Sequence, residues 1–164
     1  MVVLCQETSN IHDGPYGKYL YGQRISKEYV NCSKKQDRFS VKNKNIKFLG
    51  KISFKKKIEY LKNASALLFP IKWEEPFGLV PIEAMACGTP VIAFNRGSVP
   101  EIIKDGKTGF IVKNIWEMVR AIEKIPQISR KECRKWVEKK FTVQKMAEGY
   151  EKIYRSIIKK NEKR

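Results

Sequence analysis

Two uninterrupted apolar runs flank one short helical segment between Ala66 and Phe94, and that order leaves few folds open. Ala66-Leu67-Leu68-Phe69 has no polar position and stops at Pro70. This is the pattern of a strand buried on both faces of a parallel sheet. Leu79–Cys87 then reads as a helix. Pro81 sits in its first turn, where a missing N–H costs nothing. Gly88 supplies a left-handed cap, and Thr89-Pro90 forbids continuation. Val91–Phe94 repeats the buried-strand pattern. Strand, helix and strand in this order predict a parallel sheet covered on both faces.

The rest of the chain extends the alternation. Residues 1–5 read as a buried strand, and Ile46–Gly50 as a strand and turn. Ser53 is placed to cap a helix reaching Asn63, with Ile58 and Leu61 on one face. Pro100–Lys104 reads as a short helix. Gly106 and Gly109 frame a turn into a strand over Phe110–Val112. Ile115–Ile125 reads as a helix with Met118, Val119 and Ile122 inward. Two further helices follow, over about Arg130–Lys139 and Val143–Lys159. Residues 6–45 show no clean period and read as loop with one irregular helix. At 164 residues the chain is expected to form a single domain. Residues 1–45 are poorly readable, 46–125 form the core, and 126–164 are carboxyl-terminal helices. The expected class is α/β, a Rossmann-like doubly wound parallel sheet.

Composition narrows the function classes. The formal charge is +17, a field that attracts phosphates of any kind. The basic clusters Lys34-Lys35, Lys55-Lys56-Lys57, Lys139-Lys140 and Lys159-Lys160 are scattered and read as solvated faces. Cys5, Cys32, Cys87 and Cys133 lack metal-ligand spacing, and His12 is the one histidine. No metal site is expected, and the thiols read as reduced, in a cytoplasmic protein. Cys87 reads as a small buried hydrophobe. Trp73, Trp116 and Trp136 read as packing residues.

The chemistry gathers where the first buried strand ends. In doubly wound sheets, ligands bind beyond the carboxyl ends of strands, at a topological switch point. The loop Ile71–Gly78 leaves such an end and carries Glu75. The helix that follows offers free N–H groups and a partial positive charge to phosphate or sugar oxygens. Gly78 lets a ligand approach the backbone, with Phe77 and Leu79 flanking it. Glu83 lies about one turn inside the helix. Carboxylates accept well from vicinal hydroxyls. An acid near a helix N-terminus also stabilises that helix by about 0.3–1 kcal/mol, which is the plainer reading of Glu83.

From Glu75 the chain runs E-P-F-G-L-V-P-I-E-A-M-A-C-G-T-P-V-I-A-F, and continues through G-S-V-P-E at 97–101 and D-G-K-T-G-F at 105–110. This series resembles the donor-binding domain of retaining glycosyltransferases of family four, which have the two-domain GT-B fold. The resemblance extends from about Ile46 to Ile158. It implies transfer of a hexosyl group from a nucleotide-diphosphate sugar to a hydroxyl acceptor with retention of configuration, without a metal cofactor. It assigns Glu75 to the donor sugar near the reacting centre and Glu83 to the ribose. The amides of Phe77, Gly78, Leu79 and Val80 would hold sugar hydroxyls and phosphate, and the Gly50-Lys51 turn would border the base.

Against that family pattern, the acceptor domain, a first strand–helix unit and an Arg/Lys pair for the diphosphate are not matched. No motif marks another lysine for that task. His12 does not match the family's histidine. The implied partners are a nucleotide sugar, a separate acceptor-domain chain or a second copy through the Val143–Ile157 helix, and an anionic membrane surface at the inner face. Nucleic acid is disfavoured. The competing reading is a non-catalytic basic module binding nucleotide sugar, nucleic acid or anionic membrane, or an inactive fragment that needs a partner chain.

Overall fold

The computed structural model describes residues 3–7, 28–32, 46–49 and 52–161. Six strands form one sheet in the order β3-β2-β1-β4-β5-β6. They are β1 (Val3–Glu7), β2 (Glu28–Cys32), β3 (Ile46–Phe48), β4 (Ala66–Phe69), β5 (Val91–Phe94) and β6 (Gly109–Val112). Every pairing is parallel, with Val3 opposite Ala66 where β1 meets β4 and Leu67 opposite Val91 where β4 meets β5. The chain winds outward from the centre in both directions, so the switch point lies between β1 and β4. The expected α/β doubly wound sheet is the observed one.

The apolar runs behave as strands buried on both faces. Leu67 and Phe69 of β4 join Val91 and Ala93 of β5 in one core, against α1 (Phe54–Asn63), α2 (Leu79–Ala86), α3 (Val99–Ile102) and α5 (Arg130–Lys140). Ala66, Leu68 and Ile92 point the other way, against α4 (Ile115–Lys124). Strand side chains alternate between faces, so a four-residue run with no polar position needs a helical layer on each side.

Local signals set the helix ends. Ser53 Oγ accepts from the Lys56 N–H at the start of α1. Asn114 Oδ1 accepts from the Glu117 N–H at 3.0 Å, while Glu117 Oε2 accepts back from the Lys113 N–H. Gly88 takes φ of 78° just beyond α2, as a left-handed cap requires. The far end of α1 is closed from a distance. Arg130, at the start of α5, donates through Nη1 to the Ala64 carbonyl and through Nη2 to the Lys62 carbonyl, both at 2.6 Å. It also reaches Thr89 Oγ1, whose own hydroxyl donates to the Leu61 carbonyl.

Three expectations are corrected. Glu28–Cys32 is a strand, paired with both β1 and β3, inside the stretch expected to hold only loop and irregular helix. Its Glu-Tyr-Val-Asn-Cys sequence carries one β-branched residue, and its pairing comes from central placement rather than propensity. In α4 the inward residues are Met118, Ala121 and Ile122, whereas Val119 is only half-buried. Trp73 and Trp136 pack against the core, but Trp116 is exposed, so the packing role holds for two of the three.

The last helix, α6 (Val143–Asn161), has no buried residue. Val143, Met146, Tyr150, Ile153, Tyr154 and Ile157 form an apolar stripe along it, all more than half exposed. Thus the stripe does not fold onto the described residues. None of the described helices is long and apolar enough to cross a membrane.

Candidate functional site

The loop leaving β4 is held in shape by its own acids. The Glu75 carboxylate accepts twice: Oε1 from the Gly78 N–H at 3.0 Å, and Oε2 from the Trp73 indole N–H at 3.1 Å. Its side chain therefore lies across the start of α2. Its neighbour Glu74 accepts from the Gly97 N–H and pairs with Arg96 at 3.2 Å. The Glu75 carbonyl accepts from the Ser98 N–H at 2.8 Å. The turn between β5 and α3 thus braces the Glu74-Glu75 backbone.

Two glycines make this close approach possible. Gly97 has φ of 50°, and a Cβ there would stand 2.3 Å from the Glu75 carbonyl oxygen. Gly78 is buried with φ of 79°, and a Cβ would meet the Ile102 Cδ1 at 2.7 Å. The sequence motif G-S-V-P-E at 97–101 is therefore a brace for the loop that carries Glu75. Ser98 Oγ is buried without a hydrogen-bond partner among the described residues and lies near Gly78.

Beyond Gly78 the chain enters α2. Leu79 and Val80 occupy its first turn, where amides have no carbonyl of their own helix behind them. The Gly78 amide is engaged by Glu75, so the donors the helix presents outward are those of its first turn. Phe77 and Leu79 are both more than half exposed beside them. An apolar pair at a helix start, with free amides and no buried role, suits the face of a ring with polar groups at its edge.

Glu83 projects further along α2 and is not left as a simple first-turn acid. The Lys57 ammonium, from α1, donates to both its oxygens at 2.8 Å. The two side chains keep 31% and 27% of their exposure, so the pair is partly shielded but open to solvent. Lys57 also sits over the Phe54 ring, 5.1 Å from its centre. The structure thus joins Glu75, Phe77, Gly78, Leu79 and Val80 in one loop and helix start, with Glu83 a turn beyond. Gly50, Lys51 and His12 lie outside the described residues.

Sequence reasoning missed Lys57. It belongs to a run of three lysines that reads as a solvated face, and its partner is 26 residues away. The available signal was its place in the first turns of a helix that starts beyond a strand's carboxyl end. The described thiols take no evident part. Burial pushes the Cys133 thiol up to about 11 and raises that of Cys87, where Lys62 partly opposes the shift. Neither is a ready nucleophile at neutral pH. No three His, Cys, Asp or Glu side chains converge among the described residues.

Comparison with known proteins meets this geometry. The profile of the family "glycosyl transferases group 1" matches residues 18–143. An uncharacterized glycosyltransferase of Methanocaldococcus jannaschii is 36% identical over 135 residues, which are 76% of this chain and 38% of that protein. Among solved structures, sucrose-phosphate synthase of Thermosynechococcus elongatus superposes with a TM-score of 0.67 and 26% identity, over 80% of this chain and 38% of that one. Anabaena HepE, solved in complex with UDP-glucose, gives 0.65 and 19% over 94% of this chain and 48% of that one. These neighbours are GT-B glycosyltransferases, and the sheet described above is the Rossmann-like half of that fold. The chain spans 34% and 38% of the length of two curated relatives that it matches along most of its own.

Proposed function

Since the chain belongs to the glycosyl transferases group 1 family, we propose that it is the donor-binding domain of a retaining hexosyltransferase of family four. Its substrate is a nucleotide-diphosphate sugar, and the hexosyl group passes to a hydroxyl acceptor with its configuration kept. The observation that carries this reading is the loop at the switch point. A carboxylate, a pair of first-turn amides and a second carboxylate follow one another along one strand end and helix start.

Each part has a task. Glu75, fixed by Gly78 and Trp73, presents its carboxylate edge to the donor sugar near the reacting carbon. The amides of Leu79 and Val80, with the positive end of α2, meet charge on the diphosphate as it leaves. That stabilisation requires donors already in place, and the Gly97–Glu75 brace keeps them there. Glu83 accepts from the ribose hydroxyls, and the Gly50-Lys51 turn borders the base. The reaction needs no metal in this reading. A polypeptide region supplying the acceptor site completes the enzyme, and the basic surface suits an acceptor held at an anionic membrane.

Thermal melting of the purified chain with UDP, GDP and ADP and their hexose conjugates tests this. A ligand that binds only the native state raises the melting point with the logarithm of its saturation. One base should stabilise, and its hexose conjugate should stabilise more. Absence of any shift in a folded protein overturns the reading. The charge of +17 favours one rival, a basic module without sugar selectivity. That rival requires binding that falls steeply with salt and ignores the sugar.

A further inference from the structure

Lys57 and Glu83 stand in an arrangement that the proposed function does not use. The ammonium contacts both carboxylate oxygens at the same distance, 2.8 Å, so it sits astride them. Those are the two acceptor atoms that a vicinal diol needs, one for each hydroxyl. An ammonium in that position and a diol bound across both oxygens exclude each other. The pair retains about a third of its exposure, and ion pairs that open to solvent are weak. Exchange of one partner for the other is therefore easy. Lys57 itself is on a flexible four-carbon stem beside the exposed Phe54 ring, free to swing across it.

We propose that Lys57 is a ligand-binding residue that changes partners: a vicinal diol displaces it from Glu83, and its ammonium then pairs with the phosphates of the same ligand. This rests on the reading that Glu83 takes the ribose of a nucleoside diphosphate. Lys57 supplies this cation from α1, a different element from the α2 helix that carries Glu83. Glu83 loses an ion pair and gains two hydroxyl donors. Lys57 loses a carboxylate and gains a phosphate, so its ammonium exchanges one anionic partner for another.

The exchange has a signature that a structural lysine lacks, because nucleoside and nucleotide should respond in opposite directions. Calorimetry on the full chain compares uridine, guanosine and adenosine with UDP, GDP and ADP, for the parent, Lys57→Met and Lys57→Arg. In Lys57→Met the diphosphate should bind roughly tenfold more weakly, from loss of a charge-assisted contact. The nucleoside should bind about threefold more tightly, because Glu83 is already released. Lys57→Arg should keep the diphosphate affinity. Lys57→Gln repeats the test if the Met variant does not fold. Loss of both affinities, or change in neither, overturns the proposal while leaving the donor-binding reading intact. That reading fails separately if the parent binds the 2′,3′-dideoxy diphosphate as tightly as the ribo form, whatever Lys57 does.

Discussion

The carbonyl oxygen of Glu75 accepts a hydrogen bond from the Ser98 amide at 2.8 Å, and so fastens the loop after β4 to the turn after β5. The same residue's carboxylate accepts from the Gly78 amide, so Glu75 is held by both backbone and side chain. The bond from the Ser98 amide can form only because Gly97, one residue earlier, has no side chain.

Gly97→Ala should therefore damage both stability and ligand binding. The added Cβ would meet backbone rather than a flexible side chain, at a φ of 50° that alanine rarely adopts. The expected cost is roughly 2–4 kcal/mol in urea unfolding. A loss below about 0.5 kcal/mol would show that the loop is not braced as described.

The two glutamates should separate by ligand. Glu83→Ala should abolish the base-selective melting shift given by a nucleoside diphosphate. Glu75→Ala should leave that shift largely in place and remove the extra contribution of the hexose. It should also lower stability by about 1–3 kcal/mol, since the Gly78 amide and the Trp73 indole lose their acceptor. Parallel melts of both variants check this, and identical ligand responses in the two would break the assignment.

Arg130→Met should cost about 1–2 kcal/mol, discounted for the solvent exposure of that side chain. The effect should appear as faster amide exchange at the carboxyl end of α1, whose carbonyls it holds. Unchanged exchange there would refute the tether.

The Cys133 thiol predicts an alkaline limit. Burial raises it from 9.0 to about 11, so the unfolded chain releases that proton before the folded one does. Between those values the folded state binds more protons, and stability falls as pH rises. Below pH 9 the thiol contributes nothing to the pH dependence. The slope should flatten in Cys133→Ala, measured by urea unfolding across that window. Equal slopes in parent and variant would exclude the effect.

Charged substitutions on the α6 stripe should leave the fold as stable as before. Met146→Glu, Ile153→Glu and Ile157→Glu replace side chains that are all more than half exposed. Melting of the triple variant should stay within about 0.5 kcal/mol of the parent. A large loss would mean that the helix packs on its own domain after all.

Much of the fold was legible because punctuation and periodicity agreed. Pro70, Pro81, Gly88 and Pro90 divide the stretch around α2 without ambiguity, and all-apolar runs fill the gaps. β2 was not legible, because Glu28–Cys32 becomes a strand through its neighbours on both sides. The site divides in the same way. Glu75 and Gly78 are three residues apart, and their hydrogen bond is local. Lys57 and Glu83 meet through the packing of two helices, and no spacing in the sequence announces that.

Arg130 sets an order of events during synthesis. The carbonyls of Ala64 and Lys62 emerge from the ribosome long before their donor, which follows them by 66 and 68 residues. Until then the Lys62 and Ala64 carbonyls lack that donor. The helix that carries Lys57 is thus latched by a residue translated after the whole β4–α2–β5 unit. A nascent chain halted before that codon would display the motif without the clasp, and quality control would meet it in that unfinished form.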